Sequence, residues 1–228
     1  MTYAEFLKLL RENAEEDFAA FQIRLIFTKS KILGVRTPKM REIARFMRAD
    51  IPTLMAYPDE YFEVTFIKLA AVASLPYTEF LKYVDQCVSL IDNWGTCDCF
   101  KPKCIAKNRE DFLRYVEKYF TAKTQDNEFY QRFALVILLG YYVEESYLPI
   151  IKDYLRRAET EKYYVYMATA WLTAEILVKH FDYGVSILNE RILSPKTHNK
   201  AIQKAKESFR LANGQKELLE ALKIKKVR

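Results

Sequence analysis

The feature that most limits the folds open to this chain is a helical pattern of apolar residues that starts afresh about every 34 residues. Tyr61, Gly95, Glu128, Lys162 and Lys196 mark the expected starts of the first helix in successive helix pairs. Between them run "YFEVTFIKLAAVAS", "REDFLRYVEKYF", "NEFYQRFALVILLGYY", "KYYVYMATAWLTAEILVKHF" and "KTHNKAIQKAKESFRL", all with helical rather than alternating periodicity. Upstream, "YAEFLKLLREN" puts Phe6, Leu9 and Leu10 on one stripe. "PKMREIARFMRAD" does the same with Met40, Ile43 and Met47 behind a proline at a helix start. Only 5 Gly and 7 Pro occur in 228 residues, too few for an all-β chain that must turn every ten residues or so. The expectation is an all-α protein, one right-handed superhelix (solenoid) of stacked helix pairs, forming a single domain over 1–228 with a concave face.

With 50% hydrophobic residues the chain can bury a substantial core, yet no apolar run approaches the roughly 20 residues that span a bilayer. The opening "MTYAEFLKLLREN" is amphipathic and charged, unlike a signal peptide, so a cytoplasmic protein without membrane contact is expected. Four cysteines in that compartment are expected to be reduced. "CDCFKPKC" lacks a CxxC pair, and His180 and His198 lie far along the chain, so no metal site is expected and the cysteines read as packing residues. The net charge of +6 is only a modest basic excess, and its placement matters more than its size.

The run "IDNWGTCDCF" sets Trp94 four residues before Asp98, one helical turn apart on one face. Arg132 opens the apolar "RFALVILLGYY", and Trp171 sits in "YYVYMATAWLTAE" with Tyr164 at helical spacing. The repeat register would gather a carboxylate, a guanidinium and two indoles on one surface. Each has a competing structural reading: the tryptophans as core residues, Asp98 as a cap or a partner of Lys101 or Arg132, Arg132 as a partner of Glu128. Lys101, Lys103 and Lys107, then Lys196, Lys200, Lys204 and Arg210, supply positive charge that fits either a nucleic-acid footprint or a solvated helix face. The terminal "KIKKVR" reads as a frayed polar tail.

In order along the chain, "ILGVRTPKMREIAR", "IDNWGTCD", "QRFALVILL", "YYVYMATAWLTAE" and "THNKAIQKAKESFR" resemble the DNA alkylation repair proteins built of HEAT-like repeats, the AlkD-like DNA glycosylases. The resemblance implies a monomer that binds alkylated or distorted double-stranded DNA in a basic groove and excises cationic purines such as 3-methyladenine and 7-methylguanine, without a cofactor and without flipping the base. It implies Asp98 as catalytic carboxylate, supported by Trp94 and Arg132, with Trp171, Lys101, Lys103, Lys200 and Lys204 holding the nucleotide and its phosphates. The chemistry suits the residues: a cationic purine leaves as a neutral base, so one carboxylate beside the sugar suffices. The chain departs from the family at Leu25, nine residues before Gly34, where relatives have tyrosine, and at Ala174, where they can have arginine. "EEDFAAFQIRLIFTKSKILGV" also reads as a poorer or shorter helix. A divergent member that binds DNA without excising bases is therefore the alternative, and a protein-interaction solenoid a third.

Overall fold

A computed structural model describes residues 1–123 and 127–225. Lys226, Val227 and Arg228, the end of the "KIKKVR" segment, lie outside the described residues. Among the described residues the chain is all-α, with fourteen α-helices, three short 3-10 turns, two isolated bridges and no strand. It divides into two compact units, Met1–Asn108 and Arg109–Arg228.

The first unit holds α1 (Tyr3–Glu12), α2 (Glu16–Leu25), α3 (Thr37–Met47), α4 (Ile51–Ala56), α5 (Phe62–Val72), α6 (Tyr77–Ser89) and α7 (Trp94–Cys99). Helix α5 is buried almost all round, with α3, α4, α6 and α7 packed about it. A helix so enclosed must pair its charges, and it does. Lys68 donates to the Tyr57 carbonyl oxygen (2.6 Å) and to Asp59 (2.8 Å). The Glu63 carboxylate accepts the backbone N–H groups of Leu33 (3.0 Å), Gly34 (2.8 Å) and Val35 (3.3 Å).

That contact explains the "GVRTP" run. Gly34 has φ +92°, and a Cβ there would sit 2.3 Å from the Glu15 carbonyl oxygen, so only glycine serves. Arg36 then folds back over the Phe18 ring at 4.3 Å and pairs with Glu15 at 2.7 Å. The run thus ties α2, α3 and α5 together. Helix α2 runs for ten residues, with its N-terminus held by this turn.

The second unit holds α8 (Arg109–Phe120), α9 (Asn127–Tyr141), α10 (Leu148–Arg157), α11 (Tyr163–Lys179), α12 (Phe181–Asn189), α13 (Pro195–Lys206) and α14 (Asn213–Ala221). Helix α11 lies between α9 and α13, with α12 against it; α8 packs on α9 and α14 on α13. First helices side by side, each backed by its second, is the packing that a repeat of helix pairs produces. The starts of α5, α7, α9, α11 and α13 fall at residues 62, 94, 127, 163 and 195, each within a residue of the start read from periodicity.

The chain does not fray at Lys223. His198 Nε2 lies 3.0 Å from the Leu222 carbonyl oxygen. The Asn199 side-chain amide donates to the Ile224 carbonyl oxygen (2.8 Å) and accepts the Ile224 N–H (2.9 Å). Residues 223–225 are therefore stitched to α13, because one asparagine amide offers an extended segment both a donor and an acceptor.

Candidate functional site

In the first unit the site is built on the short helix α7. Asn93 caps it: the buried side-chain oxygen accepts the Thr96 N–H at 2.9 Å. The Asn93 amide also donates to Asp92 (2.7 Å), whose carboxylate accepts the Thr28 hydroxyl (2.8 Å) and the Lys29 N–H (2.7 Å). The start of α7 is thereby locked to the loop that follows α2. Gly95 lets the two approach, since a Cβ there would meet Ile26 Cδ1 at 3.3 Å.

Trp94 is 38% exposed, and its indole Nε1–H donates to the Leu25 carbonyl oxygen at 3.0 Å. Asp98, one turn on, is half-buried. Its neighbour Cys99 reports the local field: burial pushes the thiol above its ordinary value, Arg41 opposes, the Asp98 charge adds to the rise, and Lys101 opposes again. Arg41 of α3 and Lys101 thus stand beside the carboxylate turn. Lys101, Lys103 and Lys107 are all exposed.

Beside Trp94, Ile23 (60%), Leu25 (47%) and Phe27 (75%) open apolar side chains to solvent. A groove of about 700 Å³ runs along this rim, with Lys29 and Lys31 on its wall. Sequence reasoning missed Arg41, Phe27 and the Asn93 cap. The cap alone had a local signal, an asparagine just before the helix.

In the second unit Arg132 is only 5% exposed. Its guanidinium donates to the Tyr164 carbonyl oxygen at 2.9 Å and lies 5.8 Å from the Tyr164 ring centre, while Glu128 accepts the Tyr164 N–H. Arg132 and Glu128 together grip the start of α11 from the preceding first helix.

Helix α11 is otherwise enclosed, and its open line is Tyr163, Met167, Trp171, Glu175 and Lys179, spaced by four. Trp171 is half-buried in that line. Ala174 is not on it: it is buried in the cluster of Leu177, Leu188, Ile202 and Leu219. The position expected to mark a lost phosphate contact is therefore a core position in this chain. The open neighbour is Glu175, gripped by Arg210 at 2.8 Å and 3.2 Å and by Lys179 at 3.4 Å. Burial would raise its carboxyl, but Arg210 and Lys179 outweigh that and hold it below its ordinary value.

On α13, Lys196 sits 4.4 Å above the Tyr166 ring, Lys200 donates to Gln203 (3.0 Å), and Lys204 pairs with Glu207 (2.9 Å). Trp94, Asp98, Lys101 and Lys103 thus belong to the first unit; Arg132, Trp171, Lys200 and Lys204 belong to the second.

Cys87 and Cys97 are buried, and burial pushes the thiols of Cys87, Cys99 and Cys104 upward, away from thiolate chemistry. Among the described residues, no three His, Cys, Asp or Glu side chains converge to hold a metal ion, and no helix is long and apolar enough to cross a membrane.

Compared with known proteins, the chain matches the family model described as DNA alkylation repair enzyme over residues 6–182. That span takes in Trp94, Asp98, Arg132 and Trp171 and ends in α12, ahead of α13. No curated protein matches the chain. With the match covering well over half of its 228 residues, this chain belongs to the DNA alkylation repair enzyme family.

Proposed function

We propose that this protein is a DNA glycosylase that hydrolyses the N-glycosidic bond of cationic N3- and N7-alkylpurines in double-stranded DNA, with Asp98 as the catalytic carboxylate. Family membership makes its role DNA alkylation repair and its partner DNA. The observation that carries the finer reading is the half-buried Asp98 one turn from a partly exposed indole whose N–H is fixed on the Leu25 carbonyl. A carboxylate held beside an immobile aromatic face suits a positively charged sugar in a partly dry environment.

In this reading the C1′–N bond breaks with its electron pair passing to the purine ring, which neutralises the alkylated base. C1′ takes up the positive charge, and Asp98 stabilises it and orients a water for addition there. The water's proton passes to the carboxylate and on to solvent. Because the departing base is already activated by its charge, no general acid is required. Trp94 and Trp171 offer ring faces to the cationic nucleotide, a contact worth about 1–2 kcal/mol where water is excluded. Arg132, Lys101, Lys103, Lys200 and Lys204 balance phosphates, and the protein acts as a cytoplasmic monomer without metal or cofactor.

Incubation of the protein with duplexes containing 7-methylguanine or 3-methyladenine, followed by quantification of free base, tests the proposal. Release of either base supports it. Binding of DNA with no base released from any alkylated duplex replaces it with the second reading, a DNA-binding member without excision. Leu25 in place of the family's tyrosine favours that reading.

A further inference from the structure

A groove of about 710 Å³ lies between α13 and the stitched segment 223–225. Four lysines line it, Lys196, Lys200, Lys223 and Lys225, and no carboxylate is among the lining residues. Tyr166 forms the floor, and Lys196 lies 4.4 Å over its ring, which holds that long side chain in place. Tyr166 and Trp171 are five residues apart, so on α11 they face directions about 140° apart. The Tyr166 ring stands 6.2 Å from that of Tyr163, so the groove adjoins the first residue of the open line and lies off Trp171 itself.

Two features mark it as a built feature. The wall bearing Lys223 and Lys225 is pinned by paired Asn199 amide bonds and by His198. Among the described residues only Lys223 of the four has a carboxylate partner, Glu220 at 2.8 Å, itself shared with Lys206. Lys196, Lys200 and Lys225 thus line one groove whose walls carry no carboxylate, and an anionic chain laid along it would offset their like charge. All these residues except Tyr166 lie beyond the span 6–182 that the family match covers.

We propose that this groove holds a run of the phosphodiester backbone, the tail lysines Lys223 and Lys225 extending the phosphate contacts of α13. The inference rests on the proposal that the protein binds DNA, but not on excision. Lysine is suited to it as a mobile point charge on phosphate that reads no sequence. Of the four lysines, Lys196 and Lys200 were singled out from sequence as candidate DNA contacts. Lys223 and Lys225 join them because the tail folds back.

The test is the combined variant Lys196→Gln, Lys200→Gln, Lys223→Gln and Lys225→Gln, titrated with undamaged duplex across a series of salt concentrations. Each lost phosphate contact lowers the slope of log affinity against log salt by about 0.9, so a fall of about two to four units is expected. Excision measured at saturating DNA should be unchanged in a second variant limited to Lys223→Gln and Lys225→Gln, which leaves Lys200 in place. A control variant with Lys8, Lys39, Lys82 and Lys118 changed to Gln removes the same charge elsewhere and should move the slope by less than one unit.

Asn199→Ala is the second probe, because it releases the tail while keeping every lysine. It should weaken duplex binding with an unchanged unfolding midpoint for the rest of the chain. An unchanged slope in the fourfold variant, or an equal loss in the control, overturns the proposal. So does a groove that binds tripolyphosphate but leaves duplex affinity untouched in the variant. If the parent protein binds no DNA at all, this inference and the proposed function fall together. If it binds but releases no base, only the glycosylase reading falls.

Discussion

The indole N–H of Trp94 donates to the carbonyl oxygen of Leu25, 3.0 Å away, at the last residue of α2. The bond uses the backbone of residue 25, so it survives any side chain there. Leu25→Tyr should keep Trp94 in place while restoring an aromatic hydroxyl to an exposed position beside it. Excision of 7-methylguanine and affinity for alkylated duplex should then rise together, with the unfolding midpoint unchanged. Trp94→Phe, by contrast, leaves that carbonyl without its partner, costing about 1 kcal/mol of stability. A Leu25→Tyr variant indistinguishable from the parent in both assays would remove position 25 from the site.

Asp98→Asn keeps the shape and hydrogen-bonding capacity of the side chain but removes the charge that, in the proposed mechanism, faces the developing sugar cation. Single-turnover excision should drop by about a hundredfold or more. Duplex affinity should hold or tighten slightly, since one negative charge leaves a surface that Arg41 and Lys101 make positive. Parent-like excision by this variant would show that another group carries the chemistry.

Arg132 combines two roles that ordinary alanine replacement would confuse. The residue is 5% exposed and its guanidinium holds the Tyr164 carbonyl at 2.9 Å, so Arg132→Ala leaves that acceptor unsatisfied and should cost about 1–3 kcal/mol in urea unfolding. Arg132→Lys can keep a donor for Tyr164 while losing the planar fork. If Arg132 also contacts phosphate, the lysine variant should retain most of the stability yet lose excision. A variant that loses stability and nothing else would confine Arg132 to joining α9 and α11.

Periodicity was legible because the helices alternate enclosed and half-enclosed faces in register: Met40, Ile43 and Met47 are all buried, as their spacing required. Trp94 and Asp98 were legible as a pair because four residues make one turn. Ala174 was not, since α11 is apolar nearly all round and such a helix gives no sign of which line stays open. The tail was misread for a related reason. Nothing local in "KIKKVR" points to Asn199, 25 residues earlier, and the pairing exists only once α14 has brought Ile224 back to α13. Glu63 was likewise silent, because a charge inside an apolar run shows its partners only in the fold.

Glu63 tests how far the "GVRTP" turn depends on one carboxylate. It is fully buried and accepts three consecutive backbone N–H groups, so Glu63→Ala strands three donors at once. Loss of about 3–5 kcal/mol is expected, with Glu63→Gln intermediate because its one carbonyl oxygen can still accept. Hydrogen exchange should show the loss concentrated in residues 33–36 and the start of α3. Uniform loss across the first unit would mean that the turn is not a separate element.

His198 gives the protein a pH dependence of definite sign. It is 2% exposed, Nε2 faces the Leu222 carbonyl and so carries the proton, and Nδ1 is buried with no hydrogen-bond partner among the described residues. Burial lowers its pKa; the Leu222 carbonyl opposes, and Arg191 adds to the lowering. The folded chain therefore binds fewer protons than the unfolded chain once pH falls below the unfolded value of about 6.5. Stability from this residue is complete above that value and is lost as pH drops from it toward the lowered folded one. Glu175 and Glu220 are held below the ordinary carboxylate range, so their titration lies further toward acid. The urea midpoint of the second unit should fall between about pH 7 and pH 5 in the parent and stay nearly level in His198→Gln, which keeps a donor for Leu222 but does not titrate. Because His198 helps pin the wall that carries Lys223 and Lys225, duplex affinity at fixed salt should weaken over the same interval in the parent and less in the variant. Equal pH slopes in parent and variant would assign the acid sensitivity to other groups.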